Sequence, residues 1–165
     1  MSEKLANPRD LFLLQLSEML WTERMLVFDV LPSLQKSVKS ESLAAAVAEH
    51  LEETHGHVAR VERAFQTLDI EPSSARNGAA EALKKQHDET AGKITDSRLE
   101  DLFHASAAIH TEHLELAAYD SLLELSRALG RGDVEDPLAR NRKEEADALR
   151  KLEKLAERLR EDLRH

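Results

Sequence analysis

The chain has 165 residues, 41% of them hydrophobic, with a formal net charge of −9 and no cysteine. Its length suits a single domain over residues 1–165, and the lack of cysteine excludes disulfides, thiolate iron–sulfur clusters, zinc fingers and a cysteine nucleophile. The acidic balance excludes a phosphate-binding surface, hence nucleic acid. No apolar run of about 18 residues is present to suggest a membrane span, and no signal-like N-terminus appears, so a cytoplasmic location is expected.

Only five glycines and four prolines accompany abundant Ala, Leu, Glu, Lys and Arg, which argues for long helices and against a sheet. Asn7-Pro8 announces the first helix as an N-cap followed by proline, and the pattern continues to about residue 38. Pro32 falls inside it and should bend or locally break it. A second helix is expected over 42–69, with the seam Val47, Leu51, Thr54, Val58, Val61, Phe65, Leu68. Residues 69–78 hold turn formers, residues 79–94 suit a short helix, and a third long helix runs from about 95 to Gly130. After the tight Gly130–Asp133 connection, a fourth helix runs from about 134 to the C-terminus.

The connection lengths predict the topology. Short turns make antiparallel hairpins of helices 1 and 2 and of helices 3 and 4. The stretch over 69–95 is long enough to travel back along a helix of ~30 residues, ~45 Å in length. Two hairpins joined by a long crossover that contains a short helix make an all-α, ferritin-like four-helix bundle.

Three glutamates occupy places where these helices should carry apolar residues. Glu23 follows Phe12, Leu16 and Met19 in heptad steps, Glu112 follows Leu102, Ala105 and Ile109, and Glu145 follows Leu138 and Asn141. A charged carboxylate aimed at a core seam costs several kcal/mol unless it is paired or neutralised. No lysine or arginine falls between the seam positions at these levels, so a metal ion is the expected partner. Carboxylate bundles that hold two metals take one glutamate from each of two helices and a Glu-x-x-His pair, or a near variant, from the others.

The second helix contains His50-Leu51-Glu52-Glu53-Thr54-His55-Gly56-His57. Here Glu52/His55 is a literal Glu-x-x-His and His50/Glu53 is the reverse order, and the helical wheel leaves both open. The fourth helix adds Glu144 beside Glu145, with Asp147 available in place of a histidine. Glu115, one turn from Glu112, is a reserve ligand. His113 and Tyr119 are candidates to hydrogen-bond the ligands, as is Asp147, while His57 stands between that role and the surface. His87, in the crossover, and the terminal His165 are expected in solvent, and His104 and His110 at the surface or an interface. A second apolar stripe on the third helix, Leu114, Ala118, Leu122, Leu125 and Leu129, suits either a homodimer face or packing within the chain.

The segments LSEMLWTERML, AAVAEHLEETHGHVARVERAF, IHTEHLELAAYDSLLELSRALG and NRKEEADALRKLEKLA resemble the YciE/YciF-like bacterial stress-response family in the same order, over about residues 8–156. The resemblance implies a ferritin-like fold and di-iron-type ligands at Glu23, in the 50–55 segment, at Glu112 and at the Glu144-Glu145 pair. Family members usually carry an aspartate four residues after the second glutamate of the last helix, and this chain has Leu149 there.

Hard oxygen ligands with one or two imidazoles suit iron first and manganese second. The function expected is therefore a di-metal carboxylate protein, with two ions per bundle. It would bind Fe(II) and oxidise it with dioxygen or peroxide, or remove peroxide under stress. The competing expectation is a non-catalytic helical interaction or structural protein that keeps the bundle with a degenerate site.

Overall fold

The computed structural model describes residues 4–164, and His165 lies outside them. The expected first helix is divided into α1 (Pro8–Met25), a π-helical turn (Leu26–Val30) and α2 (Leu31–Ser37). Asn7 caps α1 by accepting from the Asp10 amide, as its sequence predicts. The π turn explains how the chain tolerates Pro32. Leu31 N–H bonds the carbonyl of Leu26, five residues back, so the register has already slipped when the proline ring arrives. The other long helices are α3 (Glu41–Thr67), α5 (Ser97–Ala128) and α6 (Glu135–Asp162), with the short α4 (Gly78–Ala91) in the crossover.

Each of α1 and α6 packs against both α3 and α5, which closes a four-helix square. Two tethers fix the direction of α5. Asp101, near its start, accepts from the backbone N–H groups of Lys39 and Ser40 at 2.9 and 2.7 Å, where α3 begins. At the far end, Arg131 donates to the carbonyl of Thr67, where α3 ends, at 3.1 Å. Helices α3 and α5 therefore run parallel, as a full-length crossover requires. That crossover returns along α1, where Ala75 N–H bonds Ser17 O and Asn77 donates to the Thr22 hydroxyl. The protein is an all-helical bundle of the ferritin-like arrangement.

Two apolar clusters fill the bundle. One joins Phe12, Leu16, Phe65, Tyr119, Leu122 and Leu138, and the other joins Leu26, Leu34, Leu43, Val47, Leu152 and Leu155. Residues between them in sequence on every long helix are polar and buried, among them Glu23, His57, Glu112 and Glu145. The second stripe of the third helix is used inside the chain. Leu122 is fully buried, and Ala118, Leu125 and Leu129 pack against the first cluster. It carries no argument for a second copy.

Candidate metal centre

Helix α1 brings Glu23 to the polar layer, α3 brings His50 and His57, α5 brings Glu112 and Glu115, and α6 brings Glu145. All six are buried. They form two groups of potential ligand atoms, each within 4.8 Å of one another: Glu23, His57 and Glu145, and His50, Glu112, Glu115 and Glu145. Glu145 belongs to both.

The imidazoles sit in similar frames. Nδ1 of His57 faces Glu145 Oε1 at 2.7 Å and Glu23 Oε2 at 3.4 Å, while its Nε2 donates to Glu144 Oε2 at 3.1 Å. Nε2 of His50 faces Glu112 Oε1 at 3.2 Å and Glu145 Oε2 at 3.7 Å, while its Nδ1 lies 3.5 Å from Glu53. In each case one ring nitrogen looks into the layer and the other looks toward a half-buried carboxylate. A histidine ligand characteristically needs that arrangement, because the rear carboxylate fixes tautomer and ring orientation.

Around Glu23 a chain of polar contacts runs outward. Tyr119 donates its hydroxyl proton to Glu23, and Asn141 donates to the Tyr119 oxygen at 2.8 Å and to the His57 carbonyl at 3.2 Å. Arg60 bonds both Asn141 and Glu144. Arg60 stands at the edge of the layer, and among the described residues no lysine or arginine is buried.

The electrostatics of this layer are unbalanced. Four carboxylates face two imidazoles. Burial pushes Glu112 and Glu115 well above the ordinary carboxylate value, and the other layer carboxylates push Glu115 further. Burial also raises Glu145, against the opposing pull of His57. Burial alone would lower His57, but Glu23 and Glu145 outweigh it and raise the imidazole to about 11. His50 is likewise raised, with Glu112 overcoming the effect of burial. Even so, both oxygens of Glu115 and of Glu145, with Glu112 Oε2 and Glu23 Oε2, have no hydrogen-bond partner. Buried orphans in such number are rare in native proteins, and each costs about 1–3 kcal/mol. Carboxylate oxygens and imidazole nitrogens converging on two points fit two hard divalent cations.

The structure sorts the sequence candidates. Glu23, Glu112, Glu115 and Glu145 meet in the layer, with His50 on the inner face of α3. Glu53 and Glu144 stand behind the two imidazoles. Glu52 and His55 are exposed on the outside of α3, so the literal Glu-x-x-His register does not reach the layer. His113 is also exposed, one residue out of phase with Glu112. Asp147 is engaged outside by Lys143 at 2.8 Å and by Arg150. Leu149 is buried. Tyr119 contacts Glu23 as the sequence suggested.

Sequence reasoning missed the place of His57 in the interior. The inner face of α3 reads Val47, His50, Thr54, His57, Val61 in 3-4-3-4 steps, a register obscured by the apolar Leu51 and Val58 one position along. His104 and His87 also depart from expectation. His104 is buried, and its Nδ1 lies 2.9 Å from Nε2 of the half-buried His87, which stacks on Phe103. His110 is exposed, as expected. Among the described residues, no helix is long and apolar enough to cross a membrane.

Known proteins are similar to this chain in sequence and fold. The family described as "Domain of unknown function (DUF892)" matches residues 7–163. Protein YciF of Escherichia coli (strain K12) is 29% identical over 122 residues, 73% of either chain. The crystal structure of the E. coli stress protein YciF superposes with a TM-score of 0.88 at 27% identity, covering 94% of this chain and 98% of that one. YcfI from Rhodopseudomonas palustris, provisionally described as a structural protein, gives a TM-score of 0.90 at 31% identity over 93% and 97% of the two chains. A protein of Xanthomonas campestris pv. campestris, 21% identical with a TM-score of 0.64, shares the fold. Sequence order, bundle topology and these matches agree: the chain belongs to the DUF892 family, that of the YciF-like stress proteins.

Proposed function

We propose that the protein is a di-metal carboxylate protein that takes two iron ions, with manganese as the alternative metal. The observation that carries this reading is the set of unpartnered carboxylate oxygens on Glu115 and Glu145, buried between two inward-facing imidazole nitrogens. Glu23, His57 and Glu145 would hold one ion, and His50, Glu112, Glu115 and Glu145 the other. Bound there, iron would supply the electrons for reduction of dioxygen or peroxide, which fits a stress protein. Glu144 holds the rear N–H of His57, so Nδ1 stays turned inward. Glu23 is shared with the Tyr119 hydroxyl, which leaves its Oε2 free to ligate. Glu112 and Glu115, whose burial favours the protonated form, must give up protons as cations enter.

Metal analysis of protein produced with iron or manganese, beside a Glu23→Ala/Glu112→Ala double variant, tests the proposal. Close to two ions per chain in the wild type and few in the variant are expected, and well under one ion in the wild type would refute it. Wild-type metal that oxidises Fe(II) no faster than buffer would leave binding in place and remove the redox role. The second reading, a non-catalytic structural protein, is favoured by Leu149 at the position of a usual family aspartate and by the description given to YcfI.

A further inference from the structure

A cavity of about 320 Å³ opens beside the polar layer on the His50 side, and both His50 and Glu115 line it. Away from those groups its walls are largely apolar. Leu34 of α2, Val47 of α3, Ala107 of α5 and Leu152 of α6 face it, with Leu26 and Val30 from the π turn. Its outer side is roofed by Leu83, Lys84 and His87 of α4.

That roof is tied down. His87 bonds His104 and stacks on Phe103, and Lys84, which also pairs with Asp88 of its own helix at 2.7 Å, reaches Asp29 of the π turn at 3.4 Å. The crossover helix is therefore anchored to α5 and to the π turn above the cavity. The volume is about twice that of an engineered apolar cavity of roughly 150 Å³ that binds benzene. By that measure it suits roughly ten to fifteen non-hydrogen atoms, and the roof excludes a peptide helix.

The inner end constrains the occupant's charge. Glu115 is buried there with neither oxygen partnered, and Glu112 and Glu53 also line the cavity. An anionic head would give up its hydration there with no unpaired lysine to meet it. The lysines at the rim are engaged, Lys84 as above and Lys151 with Glu49 at 2.6 Å. An uncharged molecule with one hydroxyl or carbonyl end and an apolar body matches both ends of the space.

We propose that this cavity binds a neutral, largely apolar organic molecule, with its polar end toward Glu115 and His50, as the small-molecule ligand of the site. The proposal rests on the di-metal reading only for what the polar end meets. The apolar walls stand without it.

The test uses purified full-length protein with and without added iron, and 1-aminoanthracene, which lies within that size, as a fluorescent probe. One saturable probe site per chain is expected, emptied in metal-free protein by 1-decanol and about tenfold less well by decanoate, since the carboxylate would be buried without a cation to pair it. Ala107→Phe should weaken probe binding at least about tenfold by filling the space, with circular dichroism and metal content unchanged. Ala46→Leu, on the opposing α3 wall, should weaken it too, and decides the matter alone if Ala107→Phe does not fold. No saturable site, binding untouched by the wall variants, or decanoate displacing as well as decanol would each overturn the proposal. Metal content in the same samples separates the readings. Probe binding without metal retention leaves the cavity claim standing, and metal retention without probe binding removes it.

Discussion

The two ends of the polar layer differ in how firmly they are held. On the Glu23 side, His57 is anchored by Glu144, Glu144 by Arg60 and Arg140, and Glu23 by Tyr119, which Asn141 supports in turn. On the Glu115 side, His50 Nδ1 approaches Glu53 at 3.5 Å without a hydrogen bond, Glu115 has no partner, and the cavity adjoins. One half is sealed and preorganised. The other half is less firmly braced, and a ligand has room to approach it. A site with this asymmetry can keep one ion firmly while offering the other to an incoming molecule.

The largest test of this contrast uses the residue both halves share. Glu145→Ala should lose both ions, whereas Glu115→Gln should lose only the ion on the cavity side. Metal counting on the two variants reads the difference directly, and equal loss would break the comparison. Next are the carboxylates behind the imidazoles. Glu144→Ala should weaken the tighter ion by about 10–100-fold, the range for such supporting groups. Glu53→Ala should cost less than about tenfold, because it holds His50 less closely. Calorimetric titration with Mn(II) gives both values.

Stability offers a third test. Tyr119→Phe removes the donor to Glu23 and one of the two acceptors of Asn141, so a loss of about 1–3 kcal/mol is expected in urea unfolding, with metal content retained.

The pH dependence follows from the raised groups. Glu112 and Glu115 hold protons in the metal-free fold that the unfolded chain releases above its ordinary value of 4.5. The stability they contribute is therefore complete below that value and declines as pH rises. His57 has the same sign at higher pH, its contribution complete below 6.5 and lost toward about 11. The melting temperature of metal-free protein should fall with rising pH, and Glu115→Gln should flatten the acid part of that fall. The stabilisation added by Mn(II) should grow with pH, because the ligands must shed protons. The smallest effect belongs to the outer face of α3, where Glu52→Ala and His55→Ala should each stay within about 0.5 kcal/mol and leave metal content unchanged.

Much of this architecture was legible before any coordinates. Helix lengths and the long 69–95 crossover predicted the bundle, because connection length limits which helices can be neighbours. Glu23, Glu112 and Glu145 stood out because each interrupts an apolar heptad. His57 and Glu115 were harder to place. Each lies one residue from an apolar side chain, Val58 and Leu116, that an apolar seam would choose first. Around a buried polar site that choice misleads, since the polar residues themselves take the interior and the neighbouring apolar ones move to its flank. A single residue is a rotation of about 100° on a helix, enough to exchange inside for outside. The His87–His104 pair was invisible for another reason. It joins the crossover to α5, and no local periodicity encodes where a crossover helix lands.

The buried carboxylate and imidazole layer is proposed to hold two metal ions that share Glu145. A crystal structure of iron- or manganese-loaded protein, with anomalous data at both absorption edges, tests it most directly. Two peaks are predicted, one among Glu23, His57 and Glu145 and the other among His50, Glu112, Glu115 and Glu145. A layer without anomalous density in loaded protein, or metal bound only at the outer Glu52 and His55, would contradict the account.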